Sequence, residues 1–236
     1  MNQFSQPQAK NTLALEVSRF MSRVYSWMMF GLLITAVTGF VIGTNPAYVI
    51  PIIRGGGFIV AIIAQLALVI ALGYGIKRWS VGAVTACFLL YSFVSGITFS
   101  IYFMAYALNT MGLVFAITAG TFGAMALYGY VTKKDLTAMG TFMHMGLFGI
   151  LIAMFANFFM HSSGLDFVIS IAGVIIFTGL TAYDVQKIKM MGASGSIDSD
   201  EGHKNAIFGA LQLYLDFINL FIFLLRLFGG GGRSRD

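Results

Sequence analysis

The last long apolar segment of the chain carries a face of polar side chains. In alternating steps of four and three residues this face bears, in order, Asn205, Gly209, Gln212, Asp216, Asn219, Phe223 and Arg226. Leu, Ile, Phe, Tyr and Ala fill the other faces, which is the pattern of an amphipathic helix. The preceding apolar segment has a weaker polar face, made of Ser170, Phe177, Thr181 and Asp184. Because carboxyl oxygens bind hard cations such as Ca²⁺ and paired carboxyls exchange protons, both faces are candidate sites for cation or proton chemistry.

Asp184 and Asp216 are the two acids that fall within or at the edge of these segments, whereas the other acids lie in predicted loops or tails. An Asp at the centre of a membrane helix costs about 2.5 to 3.5 kcal/mol on insertion scales, so a retained one usually has a partner or a function. Two structural alternatives stay open. Asp184 could be an interfacial acid that pairs with Lys187 or Lys189, and Asp216 could be a hydrogen-bonding node with the neighbouring amides of its own face.

Composition assigns the elements that must position these acids to a membrane. The 236 residues are 58% hydrophobic and only 10% charged, so the chain cannot cover a water-exposed surface with polar side chains. Six apolar runs long enough to cross a bilayer lie at about 25–42, 57–76, 81–104, 111–131, 140–160 and 167–184, the last of which ends at Asp184. A seventh run at 207–228 is also long enough, although it contains Asp216 and Arg226. We therefore predict an all-α polytopic membrane protein with seven transmembrane helices. Since a polar face cannot point at lipid, the last helix should be central.

Basic residues orient the predicted bundle. With the N-terminus in the cytoplasm, Arg54 is the one basic residue in the outer loops, and ten are cytoplasmic: Lys10, Arg19, Arg23, Lys77, Arg78, Lys133, Lys134, Lys187, Lys189 and Lys204. This asymmetry follows the positive-inside rule. The net charge of +5 therefore reflects the orientation of the chain in the membrane, and we predict no nucleic-acid partner. A re-entrant last segment is the alternative to seven spans, because it would also keep Arg226, Arg233 and Arg235 inside.

The domain prediction has three parts: a polar cytoplasmic segment at 1–24, mobile or lying along the interface, a seven-helix membrane domain at 25–228, and a short flexible tail at 229–236. The segment 191–204, with Gly195, Ser196, Asp198, Asp200 and Glu201, is predicted to be a solvated connector rather than a calcium loop.

Several isolated residues receive structural predictions. Gln65 and Asn157 are read as hydrogen-bonding links between helices. Close helix packing is expected around Gly120, Gly123 and Ala124. His144 is read as an interfacial or packing residue and His161 as a loop residue, with no metal cluster among the histidines and Cys87.

Two segments resemble the signature of the transmembrane Bax inhibitor motif family, most closely its bacterial inner-membrane branch. They are residues 179–188 (GLTAYDVQKI) and the more specific 210–221 (ALQLYLDFINLF), and the similarity extends over nearly the whole chain, including the turn 133–136 (KKDL). The resemblance implies a seven-helix fold, a pH-sensitive calcium leak activity and a hydrogen-bonded aspartate pair that gates it. By motif match this pair is Asp184 and Asp216, which are also the tentative Ca²⁺ ligands.

The resemblance also implies supporting positions. A basic side chain near the cytoplasmic end of the second helix can contact the first aspartate. Lys77 and Arg78 are the candidates here, and Ile76 is the alternative match to that position. Residues expected to line or support the pathway are Gln212, Asn219, Phe223, Thr181 and Tyr183. Phe223 is either a plug or an ordinary packing residue. The positions of the two acids along their predicted helices argue against a contact between them, because Asp216 lies well inside its helix and Asp184 lies near the end of the preceding one. They meet only if that preceding helix continues into the cytoplasm or the last one starts deeper.

Two other functions compete with a leak channel. An intramembrane aspartyl protease also uses two aspartates on adjacent helices, but its Gly-x-Gly-Asp motif is replaced here by Leu213-Tyr214-Leu215-Asp216 and no proline follows Pro51. We therefore predict no enzymatic activity. The second alternative is a non-conducting regulator that binds another membrane protein, such as a protease or a stress-response factor. That function would survive neutralisation of both aspartates.

Overall fold

A computed structural model describes residues 5–194 and 197–229, and these residues form eight helices. Their bounds are α1 Ser5–Gly43, α2 Pro46–Arg54, α3 Gly57–Gly75, α4 Val81–Ala105, α5 Leu108–Val131, α6 Thr137–Met160, α7 Ser163–Ser194 and α8 Asp200–Gly229. All except α2 are long and apolar enough to cross a membrane, which gives seven candidate spans. The all-α polytopic fold is thus confirmed. Among the spans α8 is the most buried, with 67% of its most apolar 18-residue window inside the protein.

The short helix α2 was not predicted, because its nine residues are too few to span a bilayer. The local sequence explains why this helix begins at Pro46. The Asn45 side chain accepts a hydrogen bond from the Ala47 amide (3.0 Å), and Pro46 occupies the first turn, where a missing N–H costs nothing. This helix carries Arg54 in its last turn.

The first helix begins well before the first apolar run. It extends without a break from Ser5 through the polar leader, and the side chains of Val17, Phe20, Met21 and Val24 are buried. Their spacing of three and four residues places them on one helix face. The leader is therefore continuous with the first span, although its charged residues separate it from the apolar run in the sequence.

The connection between the last two helices is the clearest correction to the sequence prediction. We expected the sixth span to end near Asp184 and a connector over 191–204, but α7 continues to Ser194 and α8 begins at Asp200. Gly195 and Ser196 lie outside the described residues. The prediction ended the helix where charged residues begin, yet Val185 and Ile188 beyond that point are fully buried. Charge marked the edge of the apolar run and not the end of the helix.

The chain divides into two compact units. Unit 1 contains the described residues up to Ala105 together with Ile188–Tyr214, and unit 2 contains Tyr106–Lys187 together with the described residues from Leu215 onward. In unit 1, Arg23 donates to the carbonyl oxygen of Ile197 (2.7 Å) and pairs with Asp198 (3.3 Å). These contacts hold α1 to the connection that precedes α8.

A side chain of α7 organises one end of unit 2. The Gln186 amide nitrogen donates to the carbonyl oxygen of Lys134 (2.8 Å), and its oxygen accepts from the amide of Leu136 (2.9 Å). The turn between α5 and α6 is thereby bound to α7, two residues after Asp184. This turn is the KKDL segment that carries part of the family resemblance.

The isolated polar residues have different outcomes. Gln65 does link helices, because its amide donates to the Thr98 hydroxyl (3.1 Å) and accepts from Ser95 (3.2 Å). For Asn157 the structure shows a local bond, since its side chain accepts from the amide of Ser162 just beyond α6 (3.0 Å). A polar residue near a helix end can bind its own turn, which the sequence reading overlooked.

The predicted small-residue contact around Gly120 and Gly123 is wrong. Both residues are exposed, and a Cβ atom added at either would meet nothing within 4 Å. The close approach on α5 occurs instead at Gly129, where an added Cβ would clash with the backbone of Ala182 on α7. Small residues permit close packing, but the tertiary contact selects which of them is used.

Candidate functional site

Asp184 on α7 and Asp216 on α8 meet inside unit 2. Their side chains share a hydrogen bond, and the residues are only 6% and 4% exposed. The objection from their positions along the predicted helices disappears because α7 runs ten residues past Asp184 and α8 starts at Asp200, so that both acids lie inside their helices. The structure therefore meets the first of the two conditions under which the sequence allows the acids to meet, the continuation of the preceding helix.

Two glycine contacts position α7 directly before Asp184. Gly129 of α5 lies against the backbone of Ala182, and Gly140 of α6 lies against the ring of Tyr183. A Cβ at either glycine would overlap these atoms, so both helices approach α7 as closely as backbone allows. The position of the Asp184 carboxyl is thus set from two sides.

An aromatic cluster positions Asp216 on α8. Its neighbour Phe217 packs edge-on against Phe115 and Phe122 of α5, with ring centroids 5.6 and 5.5 Å apart. Such contacts contribute about 0.5 to 1.5 kcal/mol beyond area burial. They fix the rotation of α8 about its own axis. Asp216, the residue before Phe217, therefore lies on a different side of α8 from the Phe217 ring.

The basic groups whose charges act on the pair are Lys187 and His144. Lys187, one turn after Asp184, acts on both acids, and His144 of α6 acts on Asp184. The His144 ring packs edge-on against Tyr183 (5.9 Å), and its Nδ1 is 2.8 Å from the carbonyl oxygen of Gly140. A proton on Nδ1 would let it donate to that carbonyl.

Lys77 and Arg78, the candidates for this basic contact, follow α3 in unit 1. Arg78 donates to the hydroxyl of Tyr74 and its guanidinium lies 4.4 Å from the centre of that ring. Its described partner is therefore local. Sequence reasoning named Lys187 only as an alternative partner of Asp184 and treated His144 as a packing residue, and neither assignment anticipated that both would act on one carboxyl.

Several buried oxygens on α7 and α8 lack hydrogen-bond partners within the described part of the chain. They are Oδ1 of Asp184, Oδ2 of Asp216 and Oγ1 of Thr178 in unit 2, and Oε1 of Gln212 on the α8 segment of unit 1. An unsatisfied buried polar group costs about 1 to 3 kcal/mol, so water, a proton or a cation has reason to bind such groups. Among residues 5–194 and 197–229, no three His, Cys, Asp or Glu side chains form a metal cluster.

Three other residues predicted to line the pathway already have hydrogen-bond or packing partners within the protein. Thr181 is buried and donates to the carbonyl of Phe177 in its own helix (2.7 Å), and Asn219 donates to that of Leu215 (2.8 Å). Tyr183 packs between Gly140 and His144, and Lys187 Nζ lies 6.0 Å from its ring centre. These side chains support the pair more than they offer free ligand atoms.

The arrangement can hold one proton between two acids and release it. Two carboxylates in a low-dielectric interior repel each other, whereas one shared proton replaces repulsion by a hydrogen bond between α7 and α8. Release of the proton leaves negative charge beside unpartnered oxygens, which is an environment that attracts a hard cation.

Comparison with known proteins identifies the family. The model of the family described as inhibitor of apoptosis-promoting Bax1 matches residues 17–233. The chain is 45% identical over 212 residues to the "Inner membrane protein YbhL" of Escherichia coli K12, covering 89% of this chain and 91% of that protein. It is 45% identical to a protein of Borreliella burgdorferi, covering 90% and 92%, and 36% identical to YrjE of Lactococcus lactis, covering 93% and 94%. The resemblance carried by the two acidic segments is thereby confirmed, and the chain belongs to the Bax inhibitor family.

Proposed function

We propose that this protein is a pH-sensitive calcium leak channel in a bacterial inner membrane, gated by Asp184 and Asp216. The observation that carries the proposal is the hydrogen bond between two buried carboxyls on neighbouring membrane helices. Burying two acids costs several kcal/mol, and hydrophobic residues of similar volume would hold α7 to α8 at lower cost. A pair retained at that cost is suited to a change of protonation state.

Proton exchange couples the pair to helix position. When one proton is shared, the hydrogen bond stabilises contact between α7 and α8. When both acids ionise, their repulsion favours separation, and Lys187 and His144 are the basic groups available to offset the charge. The pair is thus a two-state element biased by pH.

Calcium is the proposed ion because of the oxygens at the site. Ca²⁺ takes six to eight oxygen ligands, and two carboxylates alone cannot complete that number. The remaining ligands would be water molecules. Weak, incomplete coordination is what a permeant ion requires, because it must leave as readily as it enters.

The proposed orientation places the N-terminus in the cytoplasm. Arg23 of α1 contacts the connection before α8, and Lys204 Nζ lies 3.4 Å from the carbonyl of Trp79 in the turn after α3. Basic residues of three separate chain segments therefore gather at one end of unit 1, as the positive-inside rule expects of a cytoplasmic end. The name of the Escherichia coli relative supports an inner-membrane location.

Calcium flux into liposomes tests the proposal. Purified wild-type protein should pass Ca²⁺ with a rate that changes between about pH 5 and about pH 8, and Asp216→Asn should remove this change because an amide cannot exchange the proton. Asp198→Asn is the matched control, since that acid is 86% exposed in unit 1. Its pH profile should match the wild type.

Equal flux from wild-type and empty liposomes at every pH would reject the channel. The regulator function then becomes the better explanation, and cells that carry both Asn variants should keep the wild-type phenotype. Loss of the phenotype together with loss of pH-dependent flux would support the channel.

A further inference from the structure

We infer that Phe177 and Phe223 form a second barrier on the proposed pathway, in series with the aspartate pair and independent of pH. The two rings stack in unit 2 with centroids 5.8 Å apart and an interplanar angle of 25°. Both residues are buried, at 5% and 4% exposure. The inference rests on the proposed function in one respect, that ions follow the contact between α7 and α8.

The spacing of the rings from the acids is equal on both helices. Phe177 precedes Asp184 by seven residues, and Phe223 follows Asp216 by seven. Because the two helices meet at both pairs, they run antiparallel, and seven residues correspond to two turns or about 10 Å. The ring pair therefore lies on the same helix contact as the carboxyl pair, two turns away from it.

Polar groups lie on both sides of the rings along this contact. Toward one side are Thr181 and the acids, and toward the other are Ser170 and an ion pair between Asp166 and Arg226 (3.7 Å). Apolar rings flanked by polar groups on both sides along a helix contact match the arrangement of a hydrophobic constriction, which excludes water and ions by dewetting.

A glycine fixes the position of the constriction. A Cβ at Gly173 would lie 2.5 Å from the Phe223 ring, so the ring occupies the space that a side chain would fill. The ring of Phe223 thus contacts α7 at two successive turns, at the backbone of Gly173 and at the ring of Phe177. These contacts hold the ring against α7.

The test compares Phe223→Ala and Phe177→Ala with Phe155→Ala in the liposome assay, at the pH where the wild type leaks most, because the aspartate gate in series with the barrier is then open. Phe155 is the matched control because it belongs to the same unit and is 69% exposed on α6. Each barrier variant should raise Ca²⁺ flux several-fold over the control. The pH midpoint should stay at the wild-type value, because both acids remain.

Leucine variants at 177 and 223 keep the test informative if an alanine variant fails to elute as a folded, monodisperse protein. They retain an apolar side chain but lose the flat ring, so a smaller rise in flux above the Phe155→Ala control is expected. Flux from folded barrier variants equal to that of the control overturns the barrier.

The barrier and the aspartate switch fail in different ways. A wild-type flux that depends on pH, with no rise in either barrier variant, rejects the barrier and keeps the switch. Flux that is independent of pH in the wild type, with a rise in both barrier variants, rejects the switch and keeps the barrier.

Discussion

A hydroxyl cluster in unit 1 and the aspartate pair in unit 2 satisfy their buried polar atoms in opposite ways. In unit 1 the Tyr214 hydroxyl lies 2.6 Å from Thr35 Oγ1, and Thr35 donates to the carbonyl of Ser92 (2.8 Å). Tyr214 also packs edge-on against Phe88 and Tyr91, with centroids 6.3 and 5.6 Å apart. In unit 2 the two aspartates face each other, and Oδ1 of Asp184 and Oδ2 of Asp216 accept no hydrogen bond from another residue in the described part of the chain.

The difference separates polar groups that satisfy one another from the acid pair for which we propose a function. The neutral hydroxyls of unit 1 satisfy one another and hold α1, α4 and α8 together, which gives no reason to admit water or an ion. The pair in unit 2 leaves acceptor capacity unused although two acids are costly to bury. Incomplete satisfaction in a native interior points to a further ligand or a change of state.

The largest effect is expected when the two acids of unit 2 are replaced. Asp184→Asn and Asp216→Asn should each abolish the pH dependence of Ca²⁺ flux, and the double variant should behave like either single one. The reason is that the two carboxyls act as one proton-sharing unit, so their effects are not additive. The measurement is flux over a pH series. Additive losses would mean that the two acids titrate independently.

Close packing behind Asp184 should have the next largest effect. Gly129→Ala should lower the free energy of unfolding by about 1 to 3 kcal/mol, because the added methyl meets the rigid backbone of Ala182. Gly123→Ala is the control on the same helix, and it should be neutral or stabilising, since open space surrounds it. Unfolding by SDS titration measures both. Equal stability of the two variants would show that α5 does not position α7.

A smaller effect is expected in unit 1. Tyr214→Phe should cost about 1 kcal/mol, the usual value of one hydrogen bond, while the pH dependence of flux remains unchanged. Tyr48→Phe is the control, because Tyr48 is 56% exposed. SDS titration and the flux assay measure the two properties. A shifted pH profile in Tyr214→Phe would show that the Tyr214 hydroxyl contributes to the pH response as well as to stability.

The smallest expected effect concerns an acid outside the membrane. Asp135 accepts hydrogen bonds from the amide (2.9 Å) and hydroxyl (2.6 Å) of Thr137, which lower the pKa of Asp135 below its usual 3.8. A lowered pKa stabilises the fold above pH 3.8, and this gain disappears as pH falls through the lowered value. Asp135→Ala should therefore reduce the melting temperature slightly near neutral pH, and this reduction should shrink as the pH falls through the lowered pKa of Asp135. Melting curves over a pH series check this, and a difference that does not change with pH would exclude the charge as the cause.

Local sequence explains much of the candidate site. A polar face at helical spacing indicated Asp216 and Gln212 because period and burial are coupled in a membrane helix. The partner of Asp216 was harder to place, since residues after Asp184 are charged and the helix nevertheless continues. His144 gave no signal because a single histidine in an apolar run fits a packing role equally well, and only its contact with Tyr183 brings it to the pair.

Composition and periodicity by themselves determined the membrane class, the seven spans and the two acids, because the cost of polar groups in lipid acts on each segment separately. The tertiary structure alone decided which glycine lets helices touch, that α7 extends far enough for Asp184 to reach Asp216, and that Phe177 stacks on Phe223. These features depend on pairs of residues distant in the chain. Their energies arise only when two helices pack, so they cannot be predicted from the sequence of either helix alone.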